Sequence, residues 1–195
     1  AAGQSRRAGT TNKLLVEIQG VPMIAHVLQA VRAAEIDPVI VVLGHQPDRV
    51  RAAIADYDVT LVENPDYVEG LSTSLTRGLS VLPKEIDGVV VCLGDMPDVT
   101  TAHIERLIEA FAPDKGRDIC VPTFNGKRGN PVLWARRYID EMAHTAGDVG
   151  ARHLIGEYAD TVSEVVMPDG GVLLDLDTPE AIAAYARTHE SENKM

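Results

Sequence analysis

Aliphatic, β-branched runs alternate along the chain with segments whose apolar positions recur three and four residues apart. Ile24, Val27, Leu28 and Val31 keep helical spacing from Pro22 to about Glu35, and Val39-Ile40-Val41-Val42-Leu43-Gly44 is the unbroken apolar run of a parallel strand buried on both faces. A second helix is predicted from Pro47 to about Ala55, then a strand over Val59–Val62 that ends in the turn residues Glu63-Asn64-Pro65. Gly70 heads a helix reaching Leu82. Val89-Val90-Val91-Cys92-Leu93, the most hydrophobic strand, stops abruptly at Gly94-Asp95-Met96-Pro97. Ile104, Leu107, Ile108 and Phe111 mark a helix from near Thr101, Asp118–Pro122 a strand, and Gly126–Leu133 a tight cationic turn running into apolar residues. A helix from Asp148 to Tyr158 and a strand over Val172–Asp177 follow. Alternation along that strand puts Asp175 and Asp177 on one face, and Thr178-Pro179 then starts a last helix, Glu180 to about Thr188. Five or six strands interleaved with helices predict an α/β fold, a three-layer α/β/α sandwich with a mainly parallel sheet and its ligands at the strand carboxyl ends.

With 195 residues, 45% of them hydrophobic, and no compositional break, the chain reads as one domain over residues 1–195. No apolar run approaches the ~20 residues of a membrane span. A formal charge of −11, from 29 acidic and 18 basic residues, opposes non-specific nucleic-acid binding. Neither a membrane nor a nucleic acid is an expected partner. Cys92 and Cys120 lie in apolar runs without C-x-x-C spacing, as small buried hydrophobes in a reducing, cytoplasmic compartment. The six histidines show no zinc-type spacing.

The first 13 residues depart from this acidic background, with three cationic side chains and no acidic one. In Ala1-Ala2-Gly3-Gln4-Ser5-Arg6-Arg7-Ala8-Gly9-Thr10-Thr11-Asn12-Lys13, Gly3 and Gly9 free the backbone to aim N–H groups at one anion. Ser5, Arg6, Arg7 and Lys13 add hydroxyl and cationic donors, the set a polyphosphate needs. The spacing fits neither a P-loop nor a Gly-x-Gly-x-x-Gly dinucleotide loop.

Ala2-Gly3-x-Ser5-x-Arg7-x-Gly9-x-x-x-Lys13 resembles the signature loop of nucleotidyltransferases with a Rossmann-like, glycosyltransferase-A-like fold, and among them the molybdenum cofactor cytidylyltransferases. Asn64-Pro65-x-x-x-x-Gly70-Leu71-Ser72-x-Ser74-Leu75 resembles the family segment beside the nucleotide base, although these hydroxyls would equally serve as a helix cap. Gly94-Asp95-Met96-Pro97 is similar to the family's first metal-binding aspartate. Asp175-Leu176-Asp177-Thr178-Pro179-Glu180 is similar to its second, with Asp177 the match and Asp175 the fallback. Gly129-Asn130-Pro131 and Gly147-Asp148-Val149-Gly150-Ala151-Arg152 resemble family segments, the former beside the acceptor, so Lys127, Arg128, Asn130 and Asp148 are candidates for holding it. Departures are Ala8, where Met is usual, and a chain that starts at the loop with no leading strand, as expected of a piece of a longer chain.

The resemblance implies transfer of CMP from CTP to molybdenum-bearing molybdopterin with release of pyrophosphate. Asp95 and Asp177 would hold Mg²⁺. Arg7 and Lys13 would act on the outer phosphates, and Ala2, Gly3, Ser5, Arg6, Gly9, Gly70, Ser72 and Ser74 would bind the nucleotide; a molybdoenzyme receiving the product is a further implied partner. Guanylyl-transferring relatives carry a second glycine where Ala2 stands, so the extra methyl predicts a pocket narrowed toward a one-ring base. Two alternatives stay open: a nucleotidyltransferase with another base or a sugar-phosphate acceptor, and an NAD(P)-dependent reductase, which would not need two metal carboxylates.

Overall fold

The computed structural model describes residues 12–145 and 150–192, with side chains through residue 188. A one-turn 3₁₀ helix, Lys13–Leu15, leads into a hairpin of β1 (Glu17–Ile18) and β2 (Val21–Pro22). Its turn residues Gln19 and Gly20 both have positive φ, as a two-residue hairpin turn requires. The elements that follow are α1 (Met23–Ala33), β3 (Ile40–Leu43), α2 (Pro47–Ala53), β4 (Thr60–Glu63), α3 (Leu71–Leu79), β5 (Gly88–Val91) and α4 (Thr101–Ala110). Then come β6 (Ile119–Phe124), β7 (Lys127–Arg128), β8 (Val132–Ala135), α5 (Ile139–Ala143), α6 (Arg152–Glu157), β9 (Val162–Val166) and α7 (Pro179–Glu192).

Strands β3 and β4 pair in parallel, Val41 opposite Leu61. In the larger sheet β8 runs antiparallel between β5 and β6, and β9 runs parallel to β6. Strands β5, β6 and β9 therefore point the same way, with β8 reversed among them. Side chains alternate between two helical layers. Ile119, Val121 and Trp134 pack with Leu79 of α3 and with α5 and α6, whereas Cys120 and Leu133 pack with Leu107 of α4. In β3, Val41 and Leu43 face α1 and α2, while Val42 lies against Gly78 of α3. This is a three-layer α/β/α sandwich. Among the described residues no helix is long and apolar enough to cross a membrane.

Several sequence-based boundaries move. The hairpin of β1 and β2, the short helix α5 and strand β9 are additional elements. Pro22 ends a strand and caps α1 instead of opening it. The stretch Val172–Asp177 is not a strand. It opens as a 3₁₀ turn, Gly171–Leu173, and continues extended, with its backbone bonds spent outside any ladder: Asn130 N–H donates to Val172 C=O at 2.9 Å and Leu176 N–H to Asp95 C=O at 3.0 Å. Residues 170–177 thus form a strap across the ends of two loops. Two glycines let it lie close. A Cβ on Gly129 would stand 2.1 Å from Val172 O, and one on Gly171 2.4 Å from Asp98 O.

Buried His103 sits at the third position of α4, where its Nδ1 accepts from Thr100 N–H at 3.2 Å while Thr100 Oγ1 accepts from His103 N–H. Thr100 is thereby the cap of α4, and Asp95 is left free of capping duty.

Gly129→Ala should lower stability by about 2–3 kcal/mol, because a methyl facing backbone must push the strap away. Urea unfolding checks this; a loss below about 0.5 kcal/mol would place the strap farther off.

Candidate active site

The described loop exit is built around Asn12, which is completely buried. Its Oδ1 accepts from Leu14 N–H at 3.1 Å and its Nδ2 donates to His45 C=O at 3.1 Å. One amide thus starts the 3₁₀ turn and ties it to the loop after β3. Leu14 then packs on Gly94, where an added Cβ would lie 3.3 Å from Leu14 Cδ2. Lys13 is fixed between these anchors. Its ammonium donates to Asp177 Oδ1 at 2.6 Å and also to Asp95 Oδ2. The two carboxylates arrive from different directions, Asp95 from the turn after β5 and Asp177 from the strap, and the Leu176–Asp95 backbone bond holds those segments together.

Lys13 has only 13% of its side chain exposed and Asp95 19%. Burial alone lowers the lysine pKa, but the attraction of Asp95 and the hydrogen bonds to Asp177 and Asp95 outweigh it, and the net shift is upward. Among the described residues one ammonium faces two carboxylates here. Converging carboxylate oxygens are the hard donors Mg²⁺ or Mn²⁺ takes, and such ions are commonly held by one or two carboxylates with phosphate oxygens filling the remaining positions. The donor set fits. Among the described residues no group of three or more His, Cys, Asp or Glu side chains could hold a metal, so a bound ion would complete its shell with substrate or water.

Asp175, the alternative to Asp177, is exposed. Gly70 sits at the N-cap of α3 with φ 122°, and Ser72 is buried in the first turn. Ser74 and Thr73 are both held by Asn64, which opens the segment that resembles the family's base-adjacent motif and lies in the turn after β4. Buried Asn64 donates from Nδ2 to each hydroxyl at 3.0 Å and accepts from Asp66 N–H at 3.1 Å. A cleft of about 300 Å³ opens on either side of Asn64. One is lined by Ser72, Thr76 and Arg77, the other by Gly44, Gln46 and Tyr67. Asn130 meets the strap through its backbone N–H, which donates to Val172 C=O. Arg128 is exposed and pairs with Glu164 Oε1 at 2.8 Å, apart from the Lys13 cluster. Ala2, Gly3, Ser5, Arg6, Arg7, Gly9 and Asp148 lie outside the described residues.

A family model described as the MobA-like NTP transferase domain matches residues 1–162. The chain belongs to this family. It is a nucleotidyltransferase domain. Rv0371c from Mycobacterium tuberculosis H37Rv superposes with a TM-score of 0.82 at 32% identity, covering 97% of this chain and 94% of that one. Another Rv0371C structure, in complex with manganese, gives 0.79 at 28% identity over 93% of this chain and 95% of that one. The bifunctional protein GlmU of Kineococcus radiotolerans is 38% identical over 115 residues, which is 57% of this chain and 23% of GlmU. The chain spans about a quarter of the length of the curated relatives it matches. Within the family span lie the loop, Lys13 and Asp95; Asp177 and α7 fall beyond it.

Because the folded-state pKa of Lys13 is raised, its contribution to stability is complete below the unfolded lysine value of about 10.4 and fades as pH climbs through the folded value. An NMR titration of its Cε resonance should show no inflection below about pH 10.4. An inflection near neutrality would separate Lys13 from the two carboxylates.

Proposed function

We propose that this domain transfers CMP from CTP to the terminal phosphate of a molybdenum-bearing molybdopterin. The observation that carries nucleotidyl transfer is the meeting of Lys13, Asp95 and Asp177 at one end of the sheet in a MobA-like domain. The choice of CTP and of this acceptor is supported by the sequence resemblance: the loop with Ala2, the Gly70–Ser74 segment and Gly129-Asn130-Pro131.

In the reaction an oxygen of the acceptor phosphate bonds to the α-phosphorus of CTP as the bond from that phosphorus to the bridging oxygen breaks and pyrophosphate leaves. The attacking oxygen is already ionised at neutral pH, so no strong general base is needed; the demand is for charge neutralisation and in-line positioning. Lys13 is an ammonium throughout this range and pairs with the outer phosphates once CTP enters. Asp95 and Asp177 would hold Mg²⁺ or Mn²⁺, which when bound neutralises the charge that builds between the α- and β-phosphates. Arg7 and the loop amides would take the departing pyrophosphate, and Ser72 and Ser74 would border the base. Arg128, Asn130 and Asp148 would face the acceptor. A molybdoenzyme would then receive the dinucleotide product.

Pyrophosphate release measured with each nucleoside triphosphate, Mg²⁺ and molybdopterin acceptor tests the reading. With CTP and GTP in equal amounts, CTP should lead by about 10–200-fold, the value of one methyl in a binding pocket. Equal use, or GTP preferred, overturns the cytidylyl assignment, and turnover with a sugar phosphate alone reassigns the acceptor. Asp95→Asn should keep the fold and lose most turnover; activity within about threefold, under ~1 kcal/mol of barrier, removes Asp95 from the reaction. Lys13→Ala should weaken CTP binding far more than cytidine binding, and equal losses would place Lys13 away from the phosphates.

A further inference from the structure

The turn that carries Asp95 has a third attachment besides its buried side chains and the Leu176 backbone bond. Three residues on, Asp98 Oδ1 accepts a hydrogen bond from the phenol of Tyr185, two turns into α7. That helix begins directly after Asp177, where Thr178 caps it: Thr178 Oγ1 accepts from Ala181 N–H at 3.2 Å and its C=O from Ile182 N–H at 3.0 Å. Ile182 and Leu176 are buried together with Ile18 and Met23, which seats α7 on the β1–β2 hairpin and the start of α1. One helix therefore holds both carboxylates, Asp177 through its own first turn and Asp95 through Asp98. The Asp98 carbonyl is also pressed against Gly171, so the strap cannot move without the Asp95 turn. Asp177, the strap and α7 lie beyond the span matched by the family model, whereas the Asp95–Asp98 turn and the hairpin and α1 residues they pack on lie within it.

We propose that Tyr185 is a positioning residue of the active site, its hydroxyl fixing Asp98 so that Asp95 and Asp177 keep the spacing a divalent ion requires. The proposal rests on the reading of these two carboxylates as a metal site. It assigns the C-terminal helix a part in metal binding that its remoteness from the loop in sequence conceals. A partner that orients a metal ligand typically accounts for about 10–100-fold in metal affinity. Tyr185 acts through Asp98, one step farther out, so the lower end is expected. The phenol also keeps Asp98 engaged on α7.

Mn²⁺ binding to the nucleotide-free protein, followed by electron paramagnetic resonance, tests this without reference to turnover. Tyr185→Phe keeps the ring and deletes the hydrogen bond. It should weaken Mn²⁺ binding about 10-fold and lower kcat, with KM for the triphosphate within about twofold of wild type. Asp98→Ala should give the same loss, and the double variant no more than either, because both remove one interaction. Ile182→Val, which loosens α7 packing without touching the hydrogen bond, should lower Tm and leave Mn²⁺ affinity unchanged. If Ile182→Val weakens Mn²⁺ binding as much as Tyr185→Phe, the hydroxyl has only a structural role and the proposal falls. It falls alone if Tyr185→Phe leaves Mn²⁺ affinity within twofold while Asp95→Asn abolishes binding. If Asp95→Asn changes nothing, the metal reading and this proposal fall together.

Discussion

Two carboxylates and one ammonium, contributed by segments separated by 82 and 164 residues in sequence, meet at one end of the sheet, and much of the surrounding structure serves that meeting. Asp95 and Asp177 repel each other, and their side chains are 19% and 35% exposed. A cation must stand between them for the chain to close there. Lys13 supplies it, held by a fully buried Asn12 whose side chain spends one hydrogen bond on the lysine's own turn and another on the loop after β3. The protein thus carries a tethered positive charge where the two carboxylates meet.

That arrangement suits nucleotidyl transfer. Under the proposed function an incoming triphosphate would offer Lys13 a second set of anionic partners, and Asp95 and Asp177 would then accept a divalent cation in its place. For this electrostatic reason a bound nucleotide would strengthen metal binding and a bound metal would strengthen nucleotide binding. The acidic body of the molecule strengthens the contrast. The formal charge is −11 overall, whereas the first 13 residues carry three cationic side chains and no acidic one.

Close packing enforces the geometry as firmly as charge does. The strap can cross the ends of two loops because Gly129 and Gly171 leave no side chain in the gap, and its backbone donors and acceptors are satisfied by Asn130 and Asp95 instead of by a neighbouring strand. Helix α7 then locks the strap against the hairpin through Leu176 and Ile182. The buried Asn64 plays a comparable part on the other side, holding the hydroxyls at the head of α3 between two clefts.

Periodicity alone determined the order of the main helices and of β3, β4, β5 and β6, since burial on both faces requires continuous apolar runs and amphipathic helices require the 3.6-residue repeat. Lys13 is singled out by the cationic loop, Asp95 by its place at the end of an apolar strand and Asp177 by resemblance to a family segment, and the fold brings the three side chains together. Tertiary structure decided the rest. Val172–Asp177 has the alternation of a strand, yet it became a strap because its available partners were loop ends. Short, partly exposed β9, Thr161's neighbour Val162 through Val166, gave too weak an apolar signal until β6 lay beside it. Asn12, Asn64 and Tyr185 carry no periodic signal in sequence, because what matters of each is hydrogen bonding to residues that folding brings near.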